Sequence, residues 1–348
     1  MNSFVFPGNL EPSIQKIGAD PIPYMRTDMF SKVNKESEKI LLELIHCKEG
    51  RTIIYTGSGT GAMTAVVENY VSTKQKALVI DGGAFGHRWF QLCGYYDIPV
   101  IDYRVEFARD IDYADLEKTI EAEKPDVLLC QHHETSTGQL FNLEKLSAIC
   151  RQNKVSLVVD VISSFLAEEL DMDRLGIDIC VTSTQKGLNV PPGLSVLFFS
   201  KNLNGYRFAH KGFYWDFDEN FSNLQRGQTP FSPATSIFLQ LNARLKQLEK
   251  QGGEMSNIME VRHRASIFRK ECEKYGWKVL AEVPSYAITG FQTNEKTPRA
   301  IFNGLIEKYD TYIMPGSRPG FYRVSHMGLQ SDEQLVELAA RIHELERL

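Results

Sequence analysis

The sequence predicts an α/β fold, in which a mostly parallel sheet forms a large domain and a smaller α+β domain follows it. Short apolar runs alternate with helical patterns from about residue 35 to 200, which is typical of α/β architecture. The runs are continuously apolar, as strands are when helices cover both faces of a parallel sheet. After residue 245 the pattern changes to long polar helices. A chain of 348 residues, of which 43% are hydrophobic, is long enough for two such domains.

Six apolar runs are the predicted strands of the large domain. In chain order they are "TIIYT" (52–56), "ALVI" (77–80), "DVLLC" (126–130), "SLVVD" (156–160), "ICVTS" (179–183) and "LSVLFF" (194–199). Three segments between these runs carry apolar residues at helical spacing, and we assign helices to "GAMTAVVENYV", "YADLEKTIEAE" and "LEKLSAICRQN".

The C-terminal part has a different organisation. A long polar helix is predicted over residues 241–276, and the last helix opens with a capping-box pattern formed by Ser331 and Gln334. We therefore expect a large domain at residues 15–245 and a small α+β domain at residues 246–348. The N-terminal segment, residues 1–14, is expected to complete the small domain.

Composition excludes several classes of protein. The formal net charge of −5 and the isoelectric point near 6.0 give no basis for binding nucleic acid or an anionic membrane. The apolar runs are too short to span a membrane, and the first residues lack the pattern of a signal peptide. The six cysteines are scattered without a CxxC pair, which favours buried thiols in a reducing cytoplasm.

Polar and glycine residues gather directly after the predicted strands. The motifs "GSGTGA", "DGGAFGHRW" and "QHHETSTG" follow the first three, Asp160 ends the fourth, and "TQKG" follows the fifth. In an open α/β sheet the carboxyl ends of the strands line the ligand crevice. We therefore expect these five segments to form one site.

The first of these motifs is typical of a phosphate site. A strand, a glycine turn and a helix leave backbone N–H groups at the helix N-terminus, and Ser58 and Thr60 can add hydroxyl donors. The spacing of Gly57, Gly59 and Ala62 also satisfies a relaxed dinucleotide fingerprint, with Asp81 placed as a ribose-binding acid. The motif therefore predicts phosphate binding and leaves the cofactor open.

Lys186 and Asp160 distinguish between these cofactors. A lysine desolvated in a crevice loses its proton more easily and can form a Schiff base. Pyridoxal phosphate needs such a lysine, an acid for its pyridinium nitrogen and a phosphate site. A nicotinamide-dependent dehydrogenase would leave Lys186 and Asp160 without a joint role, so pyridoxal phosphate is the favoured cofactor.

Taken together, the motifs resemble those of the class V aminotransferases, which are fold-type I pyridoxal-phosphate enzymes. The similarity is greatest to the branch of serine–glyoxylate and alanine–glyoxylate aminotransferases. The matching motifs, in the order of the family, are "TGSGTGAM", "GAFGHRW", "HETSTG", "VVDVISS", "STQKGLNVPPG", "TPFSPATS" and "FYRVSHMG". The resemblance implies a mostly parallel sheet of the seven-stranded type and a homodimer with shared active sites.

The resemblance also implies a role for each matching residue. Lys186 would hold the cofactor as a Schiff base and later move the proton, while Asp160 would pair with the pyridinium nitrogen. Arg323 would bind the substrate carboxylate, for which a planar guanidinium is well suited. The other implied contacts are Ser58, Gly59 and Thr60 around the phosphate with Gln185 assisting, Phe85 stacked on the ring, Thr135 near the phenolic oxygen, and Thr229 reaching the phosphate in the partner subunit.

The activity implied is transfer of an amino group from a small amino acid, such as alanine or serine, to glyoxylate or pyruvate in two stages. A lyase or cysteine desulfurase of the same fold is the alternative, followed by the dehydrogenase. The chain departs from many relatives by having "STQK" in place of "GSQK", and residues 203–226 match no motif.

The remaining polar residues are assigned structural roles. His132, His133 and Glu134 could be considered as metal ligands, but adjacent side chains on an extended segment point to opposite faces. We therefore expect structural or supporting roles for them and predict no metal site. Arg26 and Arg318 are interpreted as surface arginines, although either could meet a second acidic group of the substrate.

Overall fold

The computed structural model describes residues 2–295, 297 and 299–347. Its strands are β1 (Asn2–Ser3), β2 (Arg51–Thr56), β3 (Ala77–Asp81), β4 (Val100–Arg104), β5 (Val127–Gln131), β6 (His133–Glu134), β7 (Gln139–Leu140), β8 (Ser156–Asp160), β9 (Ile179–Ser183), β10 (Leu194–Phe199), β11 (Lys278–Val279), β12 (Ile288–Gln292), β13 (Thr311–Tyr312), β14 (Met314–Pro315) and β15 (Phe321–Ser325). Its helices are α1 (Pro12–Ile17), α2 (Asp28–Leu44), α3 (Gly59–Asn69), α4 (Gly86–Tyr95), α5 (Tyr113–Glu123), α6 (Leu143–Asn153), α7 (Met172–Leu175), α8 (Phe217–Leu224), α9 (Thr235–Lys250), α10 (Gly253–Tyr275), α11 (Ala300–Tyr309) and α12 (Asp332–Glu346).

The large sheet has seven strands in the order β2-β10-β9-β8-β5-β3-β4. Only β10 runs antiparallel to its neighbours, and the other pairs are parallel. The predicted mostly parallel sheet and all six predicted strands are confirmed. The seventh strand, β4, was not predicted because it lies at the sheet edge and is only half-buried, so it lacks a continuous apolar run.

Helices cover both faces of this sheet. On β3, Leu78 and Ile80 belong to one core cluster, and Ala77 and Val79 belong to the other, as the two-residue period of a strand requires. Helices α2, α5, α6 and α9 contribute to the first cluster, and α3, α4 and α8 contribute to the second. The continuously apolar strands of the sequence therefore reflect burial on both sides.

A second sheet, β11-β12-β15-β14, follows the long helices, and its core is shared with α10, α11 and α12. The last of these helices has the predicted capping box of Ser331 and Gln334. The predicted single helix over residues 241–276 is wrong. It is divided into α9 and α10 because Gly252 and Gly253 have φ angles of 101° and 78°, which a right-handed helix excludes.

The N-terminal segment is held by both parts of the molecule. Strand β1 pairs in parallel with β13, and the carbonyl of Phe4 accepts from the N–H of Ser325. Further along, the side chain of Asn189 in the large domain donates to the carbonyls of Pro7 and Asn9. These contacts place the segment between the two sheets, while the domain limits at residues 245 and 246 stay a prediction.

Within the described residues, no helix combines the length and apolar character that crossing a membrane requires.

Candidate functional site

The carboxyl ends of five parallel strands lie along one edge of the large sheet. The segments that follow β2, β3, β5 and β9, together with the end of β8, carry most of the site residues predicted from the sequence. They are brought together because the parallel register places equivalent ends of β3, β5, β8 and β9 side by side. The predicted convergence of these segments at one edge is therefore present.

The phosphate motif forms the start of α3. The side chain of Ser58, its N-cap, accepts from the N–H of Gly61 at 3.3 Å, and the first N–H groups of a helix have no partner within the helix. A Cβ atom at Gly59 would lie 2.5 Å from Ile162 Cδ1. Glycine at this position therefore lets the helix N-terminus approach the segment that follows Asp160, where an anion can bind.

Trp215 and Arg88 pack against the phosphate motif. A Cβ atom at Gly57 or Gly61 would lie 2.9 Å from the Trp215 ring, so the motif has no side chain where the indole lies. Arg88 Nη1 donates to Thr60 Oγ1 at 3.1 Å. Trp215 belongs to residues 203–226, which had no assigned role, and it places part of that segment beside the phosphate motif.

Lys186 is buried, with 8% of its surface exposed. Burial lowers the pKa of its amine to about 7, with the charge of Arg323 acting in the same direction and that of Asp160 opposing it. The amine lies 3.2 Å from the centre of the Phe6 ring. Near neutral pH, a substantial fraction of this amine is therefore unprotonated and able to act as a nucleophile or base.

Asp160 ends β8 and is 4% exposed. Its Oδ1 atom accepts from the N–H of Ile162 at 2.7 Å. Burial raises the pKa of the carboxyl to about 7, and Glu134 adds to this, while the Ile162 N–H and Lys186 oppose it. A carboxylate buried to this extent is stabilised by a nearby cationic N–H group.

Thr135 contacts both the segment that follows β8 and the strand β15 of the small sheet. Its hydroxyl is hydrogen-bonded to Ser163 Oγ at 2.6 Å, and its carbonyl accepts from Arg323 Nη1 at 2.8 Å. The neighbouring His133 has its Nδ1 atom 3.1 Å from the carbonyl of Ser163, and burial lowers its pKa to about 3. His133 is therefore neutral at physiological pH.

Arg323 projects from β15 and is largely buried. Two of its five N–H groups donate to the carbonyls of Thr135 and Pro315, and its Nε atom has no partner within the described part of the chain. Burial lowers the pKa of the guanidinium, but an arginine keeps its charge at any physiological pH. The unused N–H groups are available for a carboxylate.

Glu134 is completely buried beneath the segment that carries Phe85. Phe85 is the N-cap of α4 and makes no side-chain cap of its own. The Glu134 carboxylate instead accepts from the backbone N–H groups of Phe85 and Gly86 and from the side chain of Gln131. This carboxylate therefore fixes the position of the predicted ring-stacking residue.

Thr229 lies in the connection between α8 and α9. Its hydroxyl donates to the carbonyl of Phe231 at 2.8 Å, and its own carbonyl accepts from Arg26. Arg26 also donates to Gln228 and Pro230, so it ties this connection down and is not a free surface arginine, which corrects its interpretation.

The other candidates have structural partners. Arg318 lies 3.8 Å from the centre of the Phe107 ring. His87 Nδ1 is 2.7 Å from Asp81 Oδ2. Asp81, the acid considered as a ribose ligand, therefore has a side-chain partner. Among the described residues, no group of three or more His, Cys, Asp or Glu side chains is arranged to hold a metal ion.

Comparison with known proteins adds the family. The model of the family aminotransferase class-V matches residues 24–301, which is well over half of the chain. The chain belongs to the class-V aminotransferases.

Relatives of this class-V aminotransferase align over nearly their whole length. The L-aspartate–glyoxylate aminotransferase of Paracoccus denitrificans is 24% identical, over 94% of this chain and 87% of the relative. The serine–glyoxylate aminotransferase of Hyphomicrobium methylovorum is 25% identical, over 93% and 84%. The solved structure of a subgroup IV aspartate aminotransferase from Thermus thermophilus has a TM-score of 0.91 at 24% identity, covering 99% of this chain and 98% of that one. The predicted family and fold type are confirmed.

This class-V aminotransferase is an enzyme that uses pyridoxal phosphate, and its residues fit that cofactor. Within the described residues, buried polar atoms without a partner include Gln185 Oε1, Ser183 Oγ, His133 Nε2 and Arg323 Nε. Buried polar groups normally have hydrogen-bond partners, so such atoms at the crevice suit a polar ligand. The individual contacts of the predicted site residues stay predictions.

Three residues of the site were missed by the sequence analysis, namely Phe6, Arg88 and Trp215. Each contacts a segment that is distant in the chain: Phe6 contacts Lys186, and Arg88 donates to Thr60. Of these residues, Arg88 had a signal in the sequence. It lies three residues after Phe85, about one turn along α4, and residues at this spacing lie on the same side of a helix.

Proposed function

We propose that this aminotransferase moves an amino group from a small amino acid, such as alanine or serine, to a small 2-oxo acid, glyoxylate or pyruvate, in a two-stage ping-pong reaction. The observation that carries the proposal is the buried amine of Lys186 at the end of the sheet, whose pKa burial lowers to about 7 and on which the charges of Asp160 and Arg323 act. Relatives that act on aspartate or serine with glyoxylate support the substrate class.

Arg323 binds and orients the substrate. Its unused N–H groups can hold a carboxylate with charge-assisted hydrogen bonds, which are stronger than neutral ones. Because its Nη atoms are held by the carbonyls of Thr135 and Pro315, the guanidinium is positioned before the substrate arrives. The α-carbon of a bound amino acid is thereby directed toward Lys186.

Lys186 is the proposed acid–base residue. Pyridoxal phosphate, when bound, supplies the electron sink that makes the α-proton of an amino acid acidic enough to remove. The Lys186 amine would accept that proton and then donate it to the cofactor, and a pKa near the working pH suits both the acceptance and the donation. Asp160 contributes a negative charge that stabilises a protonated ring nitrogen.

A cysteine desulfurase of the same fold is disfavoured by the thiols. That reaction needs a nucleophilic cysteine on an exposed loop, whereas all six cysteines are buried. Burial raises the pKa of each of these thiols, and a thiol, unlike a thiolate, is a weak nucleophile. The dehydrogenase is set aside because the family uses pyridoxal phosphate.

The activity can be tested on purified protein in two steps. The protein is expected to be yellow, and borohydride is expected to attach the mass of the cofactor to the peptide that contains Lys186. Alanine, serine, aspartate and an aminophosphonate are then each paired with glyoxylate and pyruvate, and the products are measured. A protein without the cofactor, or one that converts none of these pairs, contradicts the proposal.

The substitution Arg323→Ala is expected to raise the KM for the amino acid by at least about 100-fold, with a smaller change in kcat. A charge-assisted hydrogen bond contributes about 1.5–3 kcal/mol, and two such bonds are lost. Steady-state kinetics with the best donor measures this effect. Arg318→Ala is the matched control, because that arginine packs on Phe107, and it should change the KM less than twofold. Equal effects of the two substitutions would remove Arg323 from the substrate site.

We further propose a homodimer with shared active sites. An aromatic surface formed by Phe213, Tyr214 and Phe231 lies beside Thr229, with Phe213 86% and Tyr214 41% exposed. Exposed apolar surfaces of this kind often mark sites of association. Burying this surface against a second subunit would bring Thr229 near the partner's phosphate motif.

Mixing two inactive variants tests the shared site. We expect Lys186→Ala and Thr229→Ala proteins, each poorly active at limiting pyridoxal phosphate, to regain about a quarter of wild-type activity when subunits are exchanged at equal amounts. The mixed dimer of a two-fold symmetric protein then has one site with both residues intact. Light scattering checks the mass in parallel. A dimer that shows no recovery would place Thr229 outside the shared site.

The proposed compartment is the cytoplasm. All six cysteines are free thiols, and proteins of reducing compartments rarely contain disulfides.

A further inference from the structure

The N-terminal segment crosses directly over the lysine of the site. The Phe6 ring covers the Lys186 amine at a distance of 3.2 Å from the ring centre. Attraction between an ammonium group and an aromatic face stabilises such a contact while the amine is charged. Phe6 is therefore the aromatic wall on one side of the amine.

Hydrogen bonds fix the backbone on both sides of Phe6. On one side, Phe4 donates to the carbonyl of Tyr312 and accepts from the N–H of Ser325. On the other side, the Asn189 side chain donates to the carbonyls of Pro7 and Asn9. The ring is thus carried by a segment that is anchored to both sheets, and it does not depend on a free chain end.

The ring is also supported from behind. It packs against a cluster that includes Ala167, Ala287, Ile288 and Met327. Gly8 passes so close to Gly328 that a Cβ atom at Gly8 would lie 2.9 Å from its Cα. Because packed interiors yield little to added atoms, the ring has little room to retreat from a larger ligand.

Phe6 lies beside the amine that the nitrogen of an amino donor approaches in the proposed reaction. Among its supporting residues, Ala287 and Ile288 lie at the start of β12, and Met327 follows β15, the strand that carries Arg323. If the carboxylate of the donor pairs with Arg323 and its nitrogen approaches Lys186, as proposed, its side chain would meet the Phe6 ring. A short side chain fits beside the ring, and a long or branched one meets it.

We propose that Phe6 is the specificity-determining residue that restricts the amino donor to a short side chain. This inference rests on the proposed aminotransferase reaction and deepens it, because it assigns the size limit to one residue. The limit is set by a segment that lies outside the strand-end motifs of the site.

The test uses a size series of donors on the complete enzyme. Phe6→Leu and Phe6→Ala are expected to raise the kcat/KM ratio of leucine or phenylalanine to alanine at least 10-fold, since one methylene in an apolar pocket changes specificity by about 10–200-fold. Phe6→Trp is expected to shift the ratio the other way. Val5→Ala is the matched control, because it shortens the adjacent side chain of the same segment and should leave the ratio unchanged.

A binding measurement separates this inference from the activity. Acetate, isobutyrate and phenylacetate, which cannot react, are titrated into each holoenzyme while the cofactor absorbance is followed. If Phe6→Ala binds phenylacetate more tightly relative to acetate, by 10-fold or more, the proposed size limit at Phe6 is supported. An unchanged order of affinities, or a loss that is equal for all three acids, overturns it. If the protein converts no donor but Phe6→Ala shows the selective gain in binding, the proposed reaction is contradicted, while the size limit set by Phe6 is supported.

Discussion

The substitution Lys186→Ala abolishes transamination, with an expected loss of at least about 1000-fold in kcat, because general acid–base catalysis alone contributes about 100- to 10,000-fold. The variant lacks the group that we propose to move the α-proton, a buried amine with a pKa of about 7. Single-turnover measurements, in which the cofactor absorbance is followed after adding the donor, report this step directly. The phosphate motif at Ser58 is intact in the variant, so cofactor binding should largely persist.

Lys201, which follows β10 and lies outside the site, serves as the control. Lys201 is exposed and pairs with Glu49 at 2.6 Å, so Lys201→Ala should retain full activity. Wild-type turnover by Lys186→Ala would show that another group moves the proton, and the assignment of Lys186 would fail.

The substitution Asp160→Asn is expected to lower kcat by about 100- to 1000-fold, the usual effect of removing one preorganised electrostatic group. An amide has nearly the same shape as the carboxylate but carries no charge, so it cannot stabilise a protonated ring nitrogen. The absorbance spectrum of the bound cofactor should change together with kcat. Asp178→Asn is the matched control, since Asp178 is a largely buried carboxylate at the opposite end of the same sheet, bonded to the N–H of Leu157.

The same variant should alter the pH dependence of stability in the cofactor-free protein. Because the pKa of Asp160 is raised to about 7, the folded state binds a proton more tightly than the unfolded state, and this contribution is lost as pH rises from about 4 to 7. Asp160→Asn removes it. Denaturant unfolding at several pH values is expected to show a flatter profile for the variant over that range, and an identical profile would contradict the burial of the charge.

Much of the fold and the site could be predicted because strand ends are visible in the sequence. Asp160 and Lys186 stand directly after buried apolar runs, and the parallel sheet brings such ends to one edge. The strand β4 was missed because an edge strand needs no continuous apolar run. The helix break at Gly252 was missed because helical periodicity continues across it, although the φ angle there is 101°.

The amino-acid sequence was sufficient to predict six of the seven strands of the large sheet and the edge where the site lies, and to propose Lys186 and Asp160 as its amine and acid, since each depends on local apolar patterns and on the parallel order of strands. The distant groups that surround these residues became visible in the folded chain alone. Phe6 reaches Lys186 across 180 positions of the chain, and Glu134 caps the helix that begins near Phe85. Such contacts depend on how separate elements pack, and packing leaves no periodic signal in either partner.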